Sequence, residues 1–66
     1  MSLVDLSPTP AEQRVLVWLV HGLSNKAIAA ELVLSPRTVE SHVSSLLVKA
    51  GCSNRSQLLL WARGER

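Results

Sequence analysis

The sequence predicts an all-α fold: one compact domain of four short helices that contains a helix-turn-helix. Three observations lead there. Helix-start signatures recur four times in 66 residues, at Thr9-Pro10, Ser24, Ser35-Pro36 and Asn54. No segment alternates apolar and polar residues, and the Asn-Gly and Asp-Gly hairpin signals are absent. The apolar residues of the longest helical stretch fall within one sector of about 100°.

Thr9-Pro10-Ala11-Glu12 reads as a capping box, with Pro10 suited to the first helical position. The first helix then runs from about Pro10 to His21 and stops at Gly22. Val15, Leu16 and Leu19 share its inner face with Glu12 at the edge, Trp18 lies beside them, and Val17 falls nearly opposite, exposed. Ser24 caps a shorter helix that turns Ile28, Ala29 and Leu32 inward, and Val33-Leu34 forms a brief turn. Ser35-Pro36 opens the third helix. Its apolar residues Val39, Val43, Leu46, Leu47 and Ala50 are spaced 4, 3, 1 and 3 apart, and Gly51 suits a left-handed end. Asn54-Arg55-Ser56-Gln57 resembles a second capping box and opens the fourth helix, Arg55 to about Arg63. Residues 9–66 therefore form the domain. Residues 1–8 read as a flexible N-terminal arm, with Met1-Ser2-Leu3 as a cloning remnant.

Composition narrows the function classes. A chain of 66 residues has room for one core. The single cysteine, Cys52, excludes an internal disulfide, reads as a small core hydrophobe, and with the scattered His21 and His42 gives no zinc-ligand set. No metal and no cofactor are expected. With 47% hydrophobic and 18% charged residues the chain is globular, and a net charge of +2 is a mild bias toward an anionic partner. No apolar run approaches the roughly 20 residues that span a bilayer, and no secretory signal is visible, so the expectation is a soluble cytoplasmic protein without a membrane partner. Four short helices without pocket-forming loops or a phosphate-cradling glycine loop give neither an enzyme active site nor a small-molecule pocket.

The third helix carries the positive signal. Opposite its apolar stripe lie Arg37, Ser41, Ser44 and Val48, at spacings of 4, 3 and 4, flanked by Glu40 and Ser45. Solvated helix faces are usually covered by long charged side chains. This one is small and mixed. Small side chains let a helix sit deep in a major groove about 12 Å wide, where Arg pairs with guanine, Glu accepts from cytosine N4, and Ser bonds either donors or acceptors. The second helix precedes the third by only a few residues, which is the layout in which the second helix of the pair reads base edges. Arg37, Glu40, Ser41 and Ser44 are the candidate base contacts.

The stretch HGLSNKAIAAELVLSPRTVESHVSSLLVKAGCSNRSQ, residues 21 to 57, resembles the LuxR-type helix-turn-helix family, also called the GerE or FixJ/NarL type. The Gly-Leu-Ser-Asn-Lys-x-Ile-Ala core, the Ser-Pro-Arg-Thr-Val turn and the histidine two residues after Glu40 carry the match, which extends from about residue 9 to 63. The resemblance implies a four-helix DNA-binding domain for transcriptional regulation, the C-terminal effector of a bacterial response regulator or ligand-sensing regulator. It agrees on the base contacts and adds phosphate contacts at Asn25, Lys26, Thr38, His42, Lys49 and Arg55. It also places homodimerisation on the fourth helix. Several positions depart from the family pattern: Glu40 and Ser44 stand where many members carry Lys, Pro8 replaces a leucine, and Val48-Lys49-Ala50 replaces a more basic run. Each lost phosphate-contacting cation flattens the salt dependence of binding by about one unit of slope.

Residues 58 to 62 of the fourth helix, Leu58, Leu59, Leu60, Trp61 and Ala62, are all apolar and so point in every direction. One small domain covers only one side of such a helix, and an uncovered apolar patch marks a contact surface. Leu58, Leu59, Trp61 and Ala62 are the expected dimer residues. A two-fold dimer would present two recognition helices about one DNA turn apart and select an inverted-repeat site on double-stranded DNA. The alternative is a helix-turn-helix-derived protein-protein interaction module with weak or no DNA affinity, favoured by Glu40. A sigma-factor-like promoter module shares the motif but lacks the Gly-Leu-Ser-Asn-Lys signature.

Overall fold

The first N–H groups and last carbonyls of a helix have no partner inside it, and in this chain side chains and turns supply partners at each end. The computed structural model describes residues 7–64. Its helices are α1 Pro10–Val20, α2 Asn25–Leu32, α3 Pro36–Ala50 and α4 Arg55–Ala62, with no strand among the described residues. The four helices are the expected ones, although α1 and α4 each end one residue sooner than the sequence reading placed them. The expected arm over residues 1–8 lies, apart from Ser7 and Pro8, outside the described residues.

At α1 the capping box is complete: Glu12 N–H donates to Thr9 Oγ1 at 3.2 Å and Thr9 N–H donates to Glu12 Oε1 at 2.9 Å. Ser24 and Ser35 cap α2 and α3 by accepting from Ala27 N–H and Thr38 N–H. The second expected capping box is only half formed. Asn54 accepts from Gln57 N–H at 2.9 Å, but Gln57 Oε1 accepts from Ser53 N–H at 2.6 Å and not from Asn54. Asn54 has φ −154°, against −69° at Thr9, and that rotation about N–Cα re-aims the cap's own N–H.

The ends of α2 and α3 share one bonding pattern. Leu34 N–H reaches Ala29 O at 2.8 Å and Val33 N–H reaches Ala30 O; Cys52 N–H reaches Leu47 O at 2.9 Å and Gly51 N–H reaches Val48 O. Both are Schellman closures, which place one residue in the left-handed region. At α3 that residue is Gly51, φ 68°. At α2 it is Val33, φ 56° and ψ 49°, a β-branched residue whose Cβ crowds the following carbonyl there. This tight reversal lets α3 start with only three residues, Val33 to Ser35, between it and α2.

α3 packs against α1, α2 and α4, and α1 also meets α2 and α4. The core draws on every helix: Val15 and Leu19, Ile28 and Ala29, Val39, Val43 and Leu46, and Leu58. Leu16, Trp18, Leu32, Leu47, Ala50 and Cys52 lean on it, half-buried. Because Val39, Val43 and Leu46 fix the inner side of the long helix, they also fix which side faces out.

Candidate nucleic-acid interface

The outer side of α3 is open. Arg37, Glu40, Ser41 and Ser44 are exposed and together line a shallow depression of about 370 Å³, and Val48, one turn further on, is 78% exposed. None of these five side chains makes a hydrogen bond or ion pair to another described residue. The four candidate base readers are therefore brought together on one surface, with their polar groups unspent.

The flank of α3 that faces α1 and α2 is occupied differently. Thr38 is half-buried, with its hydroxyl 2.9 Å from Ser35 Oγ in the helix cap. His42 is half-buried. Lys49 Nζ lies 2.7 Å from Glu12 Oε1 and 3.4 Å from the Ser7 carbonyl, which ties α3 to α1. Glu12 is only 6% exposed. The hydrogen bond from Lys49 holds its carboxyl below the usual carboxylate range; burial opposes this, and the Thr9 N–H and the charges of Lys49 and His42 add to it. The Lys49 ammonium thus has a partner within its own chain, a fact that bears on its assignment as a phosphate contact.

A second cluster forms where α2 and α4 begin. The Arg55 guanidinium donates to Asn25 Oδ1 at 2.7 Å and to the Leu23 carbonyl at 2.6 Å, while Lys26 is exposed beside them. Asn25, Lys26 and Arg55 are thereby gathered at the N-terminus of α2, where unpaired N–H groups favour an anion. The resemblance names these three among six phosphate contacts; the bond between Arg55 and Asn25, 30 positions apart, is not visible in the sequence.

Helix α4 divides its apolar run unequally. Leu58 is fully buried in the core, so its place among the dimer residues is corrected: none of its surface is left for a second copy. Leu59, Trp61 and Ala62 are half-buried, with Leu59 and Trp61 leaning on the core, and Leu60 is 47% exposed. Ala62 also meets α1 at a shallow groove with Gln13, Leu16, Val17, Val20 and His21, where Val17 is 53% exposed as expected.

Among the described residues no group of His, Cys, Asp and Glu has the arrangement of a metal site, and no helix is long and apolar enough to cross a membrane.

Comparison with known proteins gives a consistent set of relatives. Residues 6–62 match the family described as bacterial regulatory proteins, luxR family. The response regulator Rre1 of a Synechocystis species is 46% identical over 59 residues, which cover 89% of this chain and 26% of the relative. Transcriptional regulatory protein UhpA of Salmonella typhimurium is 48% identical over 50 residues, 76% of this chain and 26% of the relative. Transcriptional regulatory protein FixJ of Bradyrhizobium diazoefficiens is 40% identical over 53 residues, 80% of this chain and 26% of that protein. The chain thus spans about a quarter of the length of these relatives. No solved structure matches it.

Proposed function

We propose, from the premise that the chain belongs to the luxR family of bacterial regulatory proteins, that it is a sequence-specific DNA-binding domain whose helix α3 lies in the major groove. The observation that carries this is the open outer face of α3, where Arg37, Glu40, Ser41 and Ser44 stand exposed around one depression with no partner among the described residues. Hydrogen-bonding groups held on a rigid helix and left unpaired are what direct readout requires. In this reading those four residues touch base edges.

Phosphates are held on either side of the groove. Asn25, Lys26 and Arg55 do so from the start of α2, and Thr38 and His42 from the flank of α3. Lys49 would contribute a phosphate contact only by leaving Glu12, so it is the weakest of the six assigned cations and donors. The domain acts in the cytoplasm and regulates transcription as the C-terminal effector unit of a longer response regulator or ligand-sensing regulator. Two copies pair through α4 on an inverted repeat. No catalysis is involved, in keeping with relatives named as transcriptional regulators.

The test is a titration of labelled random-sequence duplex with the 66-residue chain at rising salt. Two to four phosphate contacts per copy give a slope of log K against log salt between about −2 and −4. Absence of binding at low salt would end this reading in favour of a protein-interaction module. A second comparison separates the roles. Alanine at Lys26 should weaken binding to all duplexes alike, whereas alanine at Ser41 or Glu40 should change which bases are preferred.

A further inference from the structure

We propose that Val48 is a specificity-determining residue, one that reads the C5-methyl group of thymine at the C-terminal end of α3; this rests on the DNA-binding reading above. Val48 is a large apolar side chain left 78% exposed, and it continues the line Arg37, Ser41, Ser44 at a spacing of four. At a rise of about 1.5 Å per residue it lies roughly 6 Å beyond Ser44 and 10 Å beyond Ser41 along the helix. That distance is about three base steps at roughly 3.4 Å each. A helix that places Ser41 against a base edge therefore carries Val48 to a base pair about three further on.

The chemistry leaves one target. Valine has only methyl groups to offer, and the thymine C5-methyl is the apolar feature of the major groove, so an apolar contact there distinguishes thymine from cytosine. The remainder of the outer face is polar and reads donors and acceptors, which makes the two halves of α3 complementary in what they detect.

Val48 is also held in place. Its carbonyl accepts from Gly51 N–H in the closure that ends α3, and its neighbour Lys49 is tied to Glu12 of α1. A β-branched side chain on a helix is nearly confined to one χ1 rotamer, so little freedom is lost on contact. It belongs to no part of the core, so replacing it leaves the fold unstrained.

The experiment starts from sequences that the 66-residue chain selects out of a random duplex pool. Each thymine of a selected site is then replaced in turn by deoxyuridine, which removes the C5-methyl and nothing else. One position per half-site should lower the affinity of the unmodified protein about fourfold, the value of one buried methyl. The Val48→Ala protein, checked for unchanged helical content and thermal midpoint, should bind the thymine and uracil forms of that position equally. Equal losses for both proteins at every position, or no position sensitive to the methyl, would overturn the proposal. If no sequence is selected even at low salt, the DNA-binding reading itself has failed and Val48 fails with it.

Discussion

Glu12 and Lys49 are separated by 37 positions in the chain and by 2.7 Å in space. A buried carboxylate is costly unless charge and hydrogen bonds compensate it, and here Lys49 and the Thr9 N–H do so. Its pKa is lowered from the ordinary 4.5, so the folded state prefers the ionised form. The stabilisation is therefore fully present above about pH 4.5 and is lost as pH falls through the depressed folded value. Glu12→Gln should cost about 1–3 kcal/mol near neutral pH, because an amide keeps acceptors for Thr9 and Lys49 but loses the charge. Urea unfolding of both proteins across pH should show that difference shrinking in acid; a difference that persisted at pH 3 would mean the charge is not what stabilises. Val33 is the other residue whose role is set by geometry. It holds at the end of α2 the left-handed conformation that Gly51 holds at the end of α3, and its side chain is 89% exposed, so it gains nothing from packing. Val33→Asn should raise stability by about 0.5–1 kcal/mol in the same assay, since asparagine tolerates that conformation. A loss of stability would show that the valine methyls contribute contacts after all. Neither residue's role was legible in sequence. The wheel placed Glu12 at the edge of the apolar face, but an ion pair across two helices leaves no local spacing, and a valine in a turn carries no sign of its φ.

Caps and core faces, by contrast, are properties of three to seven neighbouring residues, and this is why all four helix starts and the outer face of α3 could be read in advance. α4 was harder, because a run of apolar residues has no periodicity, and only packing decided that Leu58 turns inward. Packing also joins the starts of α2 and α4. Arg55 has only donors, so its bond to Asn25 must go to the amide oxygen, and the Asn25 NH₂ group is thereby turned away from Arg55. In the DNA-bound state we propose, that NH₂ is the group offered to phosphate. Asn25→Asp keeps an acceptor for Arg55, and so keeps the link between the two helices, but replaces the donor with a negative oxygen. Affinity for duplex should fall at least tenfold for all sequences alike while the thermal midpoint stays level or rises. Fluorescence titration with random duplex and a melting curve check the two halves of this statement. If affinity held, Asn25 would have no part in phosphate contact; if the midpoint fell sharply, the amide would matter for the fold.

At the scale of the whole molecule, the pairing of two copies that we propose has to be built from the surface α4 leaves open. α4 has eight residues and is about 12 Å long, and its inner side is already used by Leu58, so the apolar surface it offers centres on Leu60 with the exposed parts of Leu59, Trp61 and Ala62. A stable protein interface buries about 1,200–2,000 Å² in total, more than one short helix per copy supplies. The paired state we propose is therefore weak in free solution and depends on DNA holding both copies at high local concentration. The chain should sediment as a monomer at micromolar concentration, bind an isolated half-site singly, and bind an inverted repeat with positive cooperativity. Leu60→Glu sets two like charges against each other across the proposed two-fold axis, and Leu60 is not among the residues lining the outer depression of α3, so half-site affinity should change by less than about twofold while cooperativity on the inverted repeat disappears. Mobility-shift titrations on the half-site and the full repeat read both quantities from one preparation. Cooperativity that survived Leu60→Glu would move the contact off α4, and the groove where Val17 and Val20 of α1 meet Ala62 is the next apolar surface on which to look for it.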